Sequence, residues 1–123
     1  TNELNKNDEN NQEVVWRPWS VEKMEEIKSS GKYVFIDFTA KWCLTCKVNE
    51  ALVLNTNSFR KIAKDYQIEL LLADWTKRDK NITDFLMSHG KVGVPAYFIL
   101  DKNGKLNDLG ETISIEEIQQ YLK

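Results

Sequence analysis

Apolar positions along the chain switch between two periods. Val14 to Trp19 is short, apolar and aromatic, and reads as an extended lead-in strand. Ser20 is placed to cap a helix over Val21 to Ser29, where Val21, Met24 and Ile27 share one face. Gly31 ends it, as a helix C-terminus prefers. Tyr33-Val-Phe-Ile-Asp-Phe-Thr-Ala40 is nearly continuous apolar sequence, the mark of a strand buried on both faces. Helical spacing then runs from Cys43 to Leu54 and from Phe59 to Tyr66, the second piece with Ser58 as its predicted cap. Ile68 to Trp75 is another apolar strand. Asp79 to His89 is helical, with Ile82, Phe85 and Leu86 as its stripe, and Gly90 to Gly93 breaks it.

Ala96 to Leu100 reads as a third buried strand. Asp101-Lys-Asn-Gly104 is a turn in which Asn-Gly supplies positive φ, and Lys105 to Gly110 is the return strand. Ser114-x-x-Glu117 is a capping box that opens a last helix, Ile115 to Leu122. Helices alternating with buried strands predict an α/β fold: a central sheet with helices on both faces, made mixed by the closing hairpin.

Composition sharpens this outline. The chain has 123 residues, the size of one domain. Residues 1–13 stand apart: five are Asn, one is apolar, and four acids against one lysine give −3. Such a stretch cannot bury enough apolar surface to offset its chain entropy, so a disordered tail or linker is expected, followed by one domain over 14–123. The overall charge of −2 then leaves +1 on the domain. That near-neutrality gives no reason to expect nucleic acid or an anionic membrane as partner. The longest apolar run, Tyr33 to Ala40, falls far short of the roughly 20 residues a membrane span needs, so no direct insertion of this segment is expected. The start at Thr1, with neither Met nor a signal peptide, suggests a mature form or an excised piece of a larger protein.

The sharpest chemical signal is Trp42-Cys43-Leu44-Thr45-Cys46-Lys47, between a buried strand and a helix start. Thiols at i and i+3 there lie close enough to pair with little backbone movement. Free N–H groups and the helix dipole favour the thiolate of Cys43, the form that attacks a disulfide. Cys46, one turn in, can attack the mixed disulfide and release the product. Other readings fit less well. A structural disulfide would close a tiny loop and constrain little of the unfolded chain. A zinc site would need two further ligands, with His89 the only histidine, so no metal is expected. Inert core cysteines rarely occupy an exposed helix start.

Asp37 lies inside the apolar strand, six residues before Cys43. Alternation puts Phe35, Asp37 and Thr39 on one face and Val34, Ile36 and Phe38 on the other. Burial there would raise the Asp37 pKa toward neutrality; the alternative is an edge carboxylate in water. Glu50 follows Cys46 by one turn and could approach Asp37 beneath the thiols, or be an ordinary solvated helix residue. Two carboxylates beside a dithiol would oppose thiolate formation and couple to its titration. Trp42 is expected on the docking surface. Trp16, Trp19 and Trp75 are expected in packing roles, and His89 at a helix end. The Val94–Pro95 bond precedes a strand, and its isomer is open. Asn81-Ile-Thr83 matches a glycosylation sequon, but in a predicted helix it is discounted.

Trp-Cys-x-x-Cys at a helix start after β-α-β, with Val-Pro before a hairpin, resembles the thioredoxin fold over roughly residues 14–123. Two longer strings, Asp37-Phe-Thr-Ala-Lys-Trp-Cys-Leu-Thr-Cys-Lys-Val-Asn-Glu50 and Leu70-Leu-Leu-Ala-Asp-Trp-Thr76, are similar to the C-terminal periplasmic gamma domain of the DsbD family. These are transmembrane thiol:disulfide interchange reductases of Gram-negative bacteria. The resemblance implies Cys43 as exposed nucleophile, Cys46 as resolving thiol, and Asp37 and Glu50 as an acidic pair tuning the cysteine pKa. It implies a cis Pro95 facing the site, with Val94 and Trp42 forming the substrate groove. It implies no cofactor beyond the redox-active Cys43–Cys46 disulfide, a monomer, and a periplasmic, membrane-tethered location. Electrons would come from the parent's transmembrane domain and pass to its N-terminal periplasmic domain and protein disulfides. The Asn-rich tail would be the linker from the last span. Two positions depart from the pattern: Ala96 follows Pro95 where Thr is frequent, and Leu72 stands where many thioredoxins carry a lysine near the buried aspartate. The alternative function is a free-standing periplasmic thioredoxin-like reductase or oxidase with several protein substrates. A non-catalytic binding module is the reading from another class.

Overall fold

The computed structural model describes residues 13–123. Of the expected tail at 1–13, residues 1–12 lie outside the described residues. Five strands form one mixed sheet: β1 (Trp16–Pro18), β2 (Val34–Thr39), β3 (Glu69–Asp74), β4 (Ala96–Leu100) and β5 (Leu106–Gly110). Their order is β1-β3-β2-β4-β5, with β1, β3 and β2 parallel and β4 and β5 antiparallel to their neighbours. β2 is the middle strand, and all six of its residues are buried. This is the expected thioredoxin-like arrangement. The lead-in strand is shorter than expected. It holds β3 at the sheet edge, where Pro18 lacks the N–H an inner strand would need.

Two layers of helix cover the sheet. On one face α1 (Val21–Lys28) and α4 (Lys80–Ser88) bury Met24, Ile27, Ile82 and Leu86 against Val34, Ile36 and Phe38. On the other, α2 (Leu44–Asn49) with its extension Glu50–Leu54, α3 (Asn57–Asp65) and α5 (Ile115–Gln119) enclose Phe35. There Val53, Phe59, Ile62 and Ile118 pack with it. The predicted alternation along β2 therefore holds, and it assigns Asp37 and Thr39 to the α2 face.

Local caps explain most helix boundaries. Ser20, Asp79 and Ser114 side chains accept from Lys23, Ile82 and Glu117 N–H groups at 3.0, 3.2 and 3.1 Å. Three expectations are corrected. The cap of α3 is Thr56, which accepts from the Phe59 N–H at 3.2 Å, while Ser58 lies within the helix. In the 101–104 turn only Gly104 takes positive φ, because Asp101 Oδ1 binds the Asn103 and Lys105 N–H groups. The helix expected from Cys43 to Leu54 is α only to Asn49, and Glu50–Leu54 is a π-turn closed by the Asn55 N–H on Glu50 C=O at 2.7 Å. Such insertions recur at functional sites because they rotate the side chains that follow.

The cap assignment is testable. Thr56→Ala should cost about 1 kcal/mol in urea unfolding, and Ser58→Ala under about 0.5 kcal/mol. Equal losses, or a larger loss at Ser58, would show that the cap is misassigned.

Candidate active site

The cysteines lie at the carboxyl ends of β2 and β3, where open α/β sheets place their ligand crevice. β2 runs out at Thr39, and Cys43 N–H returns to Ala40 C=O at 3.2 Å. Cys43 is the N-cap of α2, and its Sγ accepts from the Cys46 N–H at 3.1 Å. The two residues form a disulfide with Cα atoms 5.3 Å apart. The loop is held from the neighbouring strand. Lys41 N–H donates to Thr76 Oγ1 at 2.9 Å, Trp42 Nε1–H donates to Thr76 C=O at 3.0 Å, and Trp75 N–H donates to Thr39 C=O at 2.7 Å.

Exposure separates the two sulfurs only slightly. Cys46 is fully buried, whereas Cys43 keeps 6% of its surface. The expected exposed nucleophile is thus accessible only in part, because Ala40 and Val94 pack around the disulfide. Val94–Pro95 is cis, the isomer that the resemblance implied. Trp42 stands at the rim, half exposed at 49% and 5.9 Å from the Trp75 ring. Trp75 was expected as packing alone, yet it supports the rim.

The α2 face of β2 carries a buried polar group. Asp37 keeps 2% of its surface, and its Oδ1 has no hydrogen-bond partner among the described residues. Burial first, and then the charge of Glu50, push its carboxyl up to about 7. Leu72 is its register partner in β3, so no cation answers it from that side. Glu50 is held close by the Thr39 hydroxyl, which donates to Glu50 Oε2 at 3.1 Å. The structure therefore brings Asp37 and Glu50 together as predicted.

Three participants escaped the sequence reading. Tyr97 is the β4 register partner of Asp37, and burial, then the Asp37 charge, raise its phenol above the ordinary value. Asn49 Nδ2 donates to Tyr97 Oη at 3.2 Å and to Glu111 C=O at 2.9 Å. Those bonds tie the end of α2 to the far hairpin. Thr39 was placed on the right face without a role. Only its alternation with Asp37 signalled it, and nothing local signals Asn49 or Tyr97.

His89 is remote from this group. Its Nδ1 lies 3.0 Å from Phe85 C=O and its ring stacks 4.2 Å from Phe85, the expected helix-end position. No group of three or more metal-ligating side chains occurs among the described residues. A groove of about 740 Å³ runs between the start of α1 and α4, lined by Trp19, Asp79 and Phe85, away from both cysteines.

A thioredoxin-like family profile matches residues 15–102. The chain belongs to the thioredoxin-like family. It is 31% identical over 88 residues to tryparedoxin of Trypanosoma brucei brucei, a match covering 72% of this chain and 57% of that protein. A thioredoxin H-type of Fagopyrum esculentum is 30% identical over 64 residues, 41% of this chain and 55% of that protein. The chain thus spans little more than half the length of the curated relatives it matches. Among solved structures, the oxidised C-terminal domain of Neisseria meningitidis DsbD superposes with TM-score 0.68 at 22% identity, covering 87% of this chain and 99% of that one. At that identity the likeness establishes the fold. Among the described residues of this thioredoxin-like chain, no helix is long and apolar enough to cross a membrane.

The Asp37 environment predicts a pH dependence. The native carboxyl keeps its proton to about 7, while the unfolded chain loses it near 3.8. Between those values the native state binds more protons, so stability falls as pH rises and levels off above about 7. A displacement of about three units corresponds to about 4 kcal/mol at most. Asp37→Asn should flatten that slope, gaining most at pH 8 in urea unfolding of the oxidised protein. Parallel pH profiles for the two proteins would contradict the raised pKa.

Proposed function

We propose that residues 14–123 form a thiol–disulfide oxidoreductase domain that passes electrons by dithiol–disulfide exchange. The observation that carries this reading is the Cys43–Cys46 disulfide at the start of α2, and the Asp37–Glu50 pair on the strand and helix that flank the cysteine loop supports it. The fold and the family membership support it. In the reduced domain the Cys43 thiolate attacks a partner disulfide. One partner sulfur leaves as thiolate and takes a proton, and a Cys43–partner disulfide remains. Cys46 loses its proton, attacks Cys43 Sγ and expels the second partner thiol. Two electrons and two protons have then moved to the partner, and no bound cofactor is needed.

Each site residue has a place in this scheme. A carboxyl with a pKa of about 7 is suited to take the Cys46 proton and return it, and Asp37 is the group we assign. Glu50 couples to Asp37 and opposes early thiolate formation. Trp42, Val94 and Pro95 form the groove where a partner chain lies across the disulfide.

The gamma-domain resemblance and the DsbD superposition support a more specific role. In that role the domain accepts electrons from a membrane-embedded domain and reduces a periplasmic partner, with residues 1–13 as the tether. A second reading, a free-standing thioredoxin-like reductase or oxidase, is favoured by the matches to tryparedoxin and thioredoxin H-type. Brisk insulin reduction without a dedicated partner would favour it.

Two experiments test the scheme. Cys46→Ser should trap a mixed disulfide through Cys43 with a protein disulfide substrate, visible by mass spectrometry; failure to trap one would count against exchange. The acidic pair should hold the Cys43 thiol above about 8.5 in pH-dependent alkylation. Asp37→Asn and Glu50→Gln should each lower it, whereas a wild-type value below about 7 would overturn the tuning role. A reduction potential near −120 mV, that of a strong oxidant, would reverse the proposed direction of flow.

A further inference from the structure

Some cations of the described surface are paired with carboxylates, among them Lys28 with Glu25 at 4.0 Å on α1, Lys61 with Asp65 at 3.1 Å on α3, and Lys80 with Asp84 at 2.7 Å on α4. Four others stand out by their place, on the segments that carry and flank the cysteine loop. Lys41, Lys47, Lys77 and Arg78 are all exposed, and none forms an ion pair with a described carboxylate. Different segments bring them together. Lys41 precedes Trp42, and its N–H is bonded to Thr76. Lys77 and Arg78 directly follow Thr76. Lys47 follows Cys46 on α2.

Of the four, Arg78 lies against the rim rings. Its backbone takes φ 52, a left-handed conformation uncommon outside glycine. Its N–H donates to Trp75 C=O at 2.8 Å. The guanidinium carbon lies 4.7 Å from the Trp42 ring centroid and 5.3 Å from that of Trp75. The charge is thus held against the two rim rings, on an exposed side chain that a ligand can reach. Three carboxylates lie nearby. Asp79 directly follows Arg78, and its Oδ2 accepts from the Ile82 N–H. Asp74 accepts from both the N–H and the hydroxyl of Thr76, and those bonds, with the charges of Lys41 and Lys77, hold its carboxyl below the ordinary value. Glu50 is turned inward to Thr39. The rim thus sets four cations against the two outward carboxylates, Asp74 and Asp79, around an apolar platform of Trp42 and the exposed Leu44.

We propose that this face docks a protein partner whose reactive disulfide is flanked by acidic side chains, with one partner carboxylate received by Arg78 against the Trp42 ring. The inference rests on the exchange reading above and adds the kind of partner. A single exposed ion pair contributes little affinity. Four like charges gathered at one mouth act mainly on encounter rate, and their effect fades with salt.

These cations also favour the Cys43 thiolate, which would speed attack on every disulfide alike. A comparison between substrates of different charge cancels that effect. The probes are disulfide-linked homodimers of one short peptide carrying Asp, Ser or Lys on either side of its cysteine. Pre-reduced domain, freed of reductant, is mixed with each and quenched by alkylation. The dithiol gives two electrons and two protons to the peptide disulfide, leaving Cys43–Cys46 oxidised and two peptide thiols.

The Asp peptide should react about tenfold faster than the Ser peptide at low salt, and the Lys peptide slower. High salt should shrink that ratio to about twofold or less. Arg78→Gln combined with Lys41→Gln should cut the ratio at least about threefold, while Lys61→Gln on α3 leaves it unchanged. A ratio near one, or a faster Lys peptide, with the Ser peptide still reduced, would overturn the docking inference alone. Failure to reduce even the Ser peptide would overturn the exchange reading and this inference with it.

Discussion

Placement of β2 between β3 and β4 is the constraint from which the rest follows. It is parallel to one neighbour and antiparallel to the other, and all six of its residues are buried. A strand in that position must be apolar on both faces, and it exports its direction to whatever comes next. What comes next is the cysteine loop. Trp75 N–H on Thr39 C=O, with Lys41 N–H and Trp42 Nε1–H on Thr76, carry the β2–β3 pairing past the end of the sheet and hold the cysteine loop there.

The same burial makes Asp37 costly to ionise. In a strand of Val, Phe and Ile, a carboxylate whose Oδ1 has no hydrogen bond among the described residues is the least expected group present. Glu50 and the Thr39 hydroxyl lie close by, and proton handling is the use we propose for Asp37. In the proposed exchange the helix start and the rim cations would favour a thiolate at Cys43, while Asp37 and Glu50 would oppose it.

The sheet, its helices and the dithiol were legible in the chain because each rests on local pattern. Alternation along residues 34–39 assigned the faces correctly, and Ser20, Asp79 and Ser114 marked real helix starts. Local chemistry misled where two signals competed. Thr56 and Ser58 are both good caps, and only packing of Phe59 into the core selects the first. The Cys43–Leu54 periodicity looked continuous, because a π-turn keeps apolar residues inward while adding one residue to the turn.

By itself the sequence determined which segments are strand or helix, that two thiols share one helix start, and that an acid lies within a buried strand. Those properties depend on neighbours a few positions apart. Tertiary structure decided the rest. Asn49 meets Tyr97 across 48 residues and Glu111 across 62, and Arg78 reaches Trp42 only through the β2–β3 register. The proline isomer and the rim charge belong to the same class. They arise where separate segments converge, and no local pattern carries the energy of that convergence.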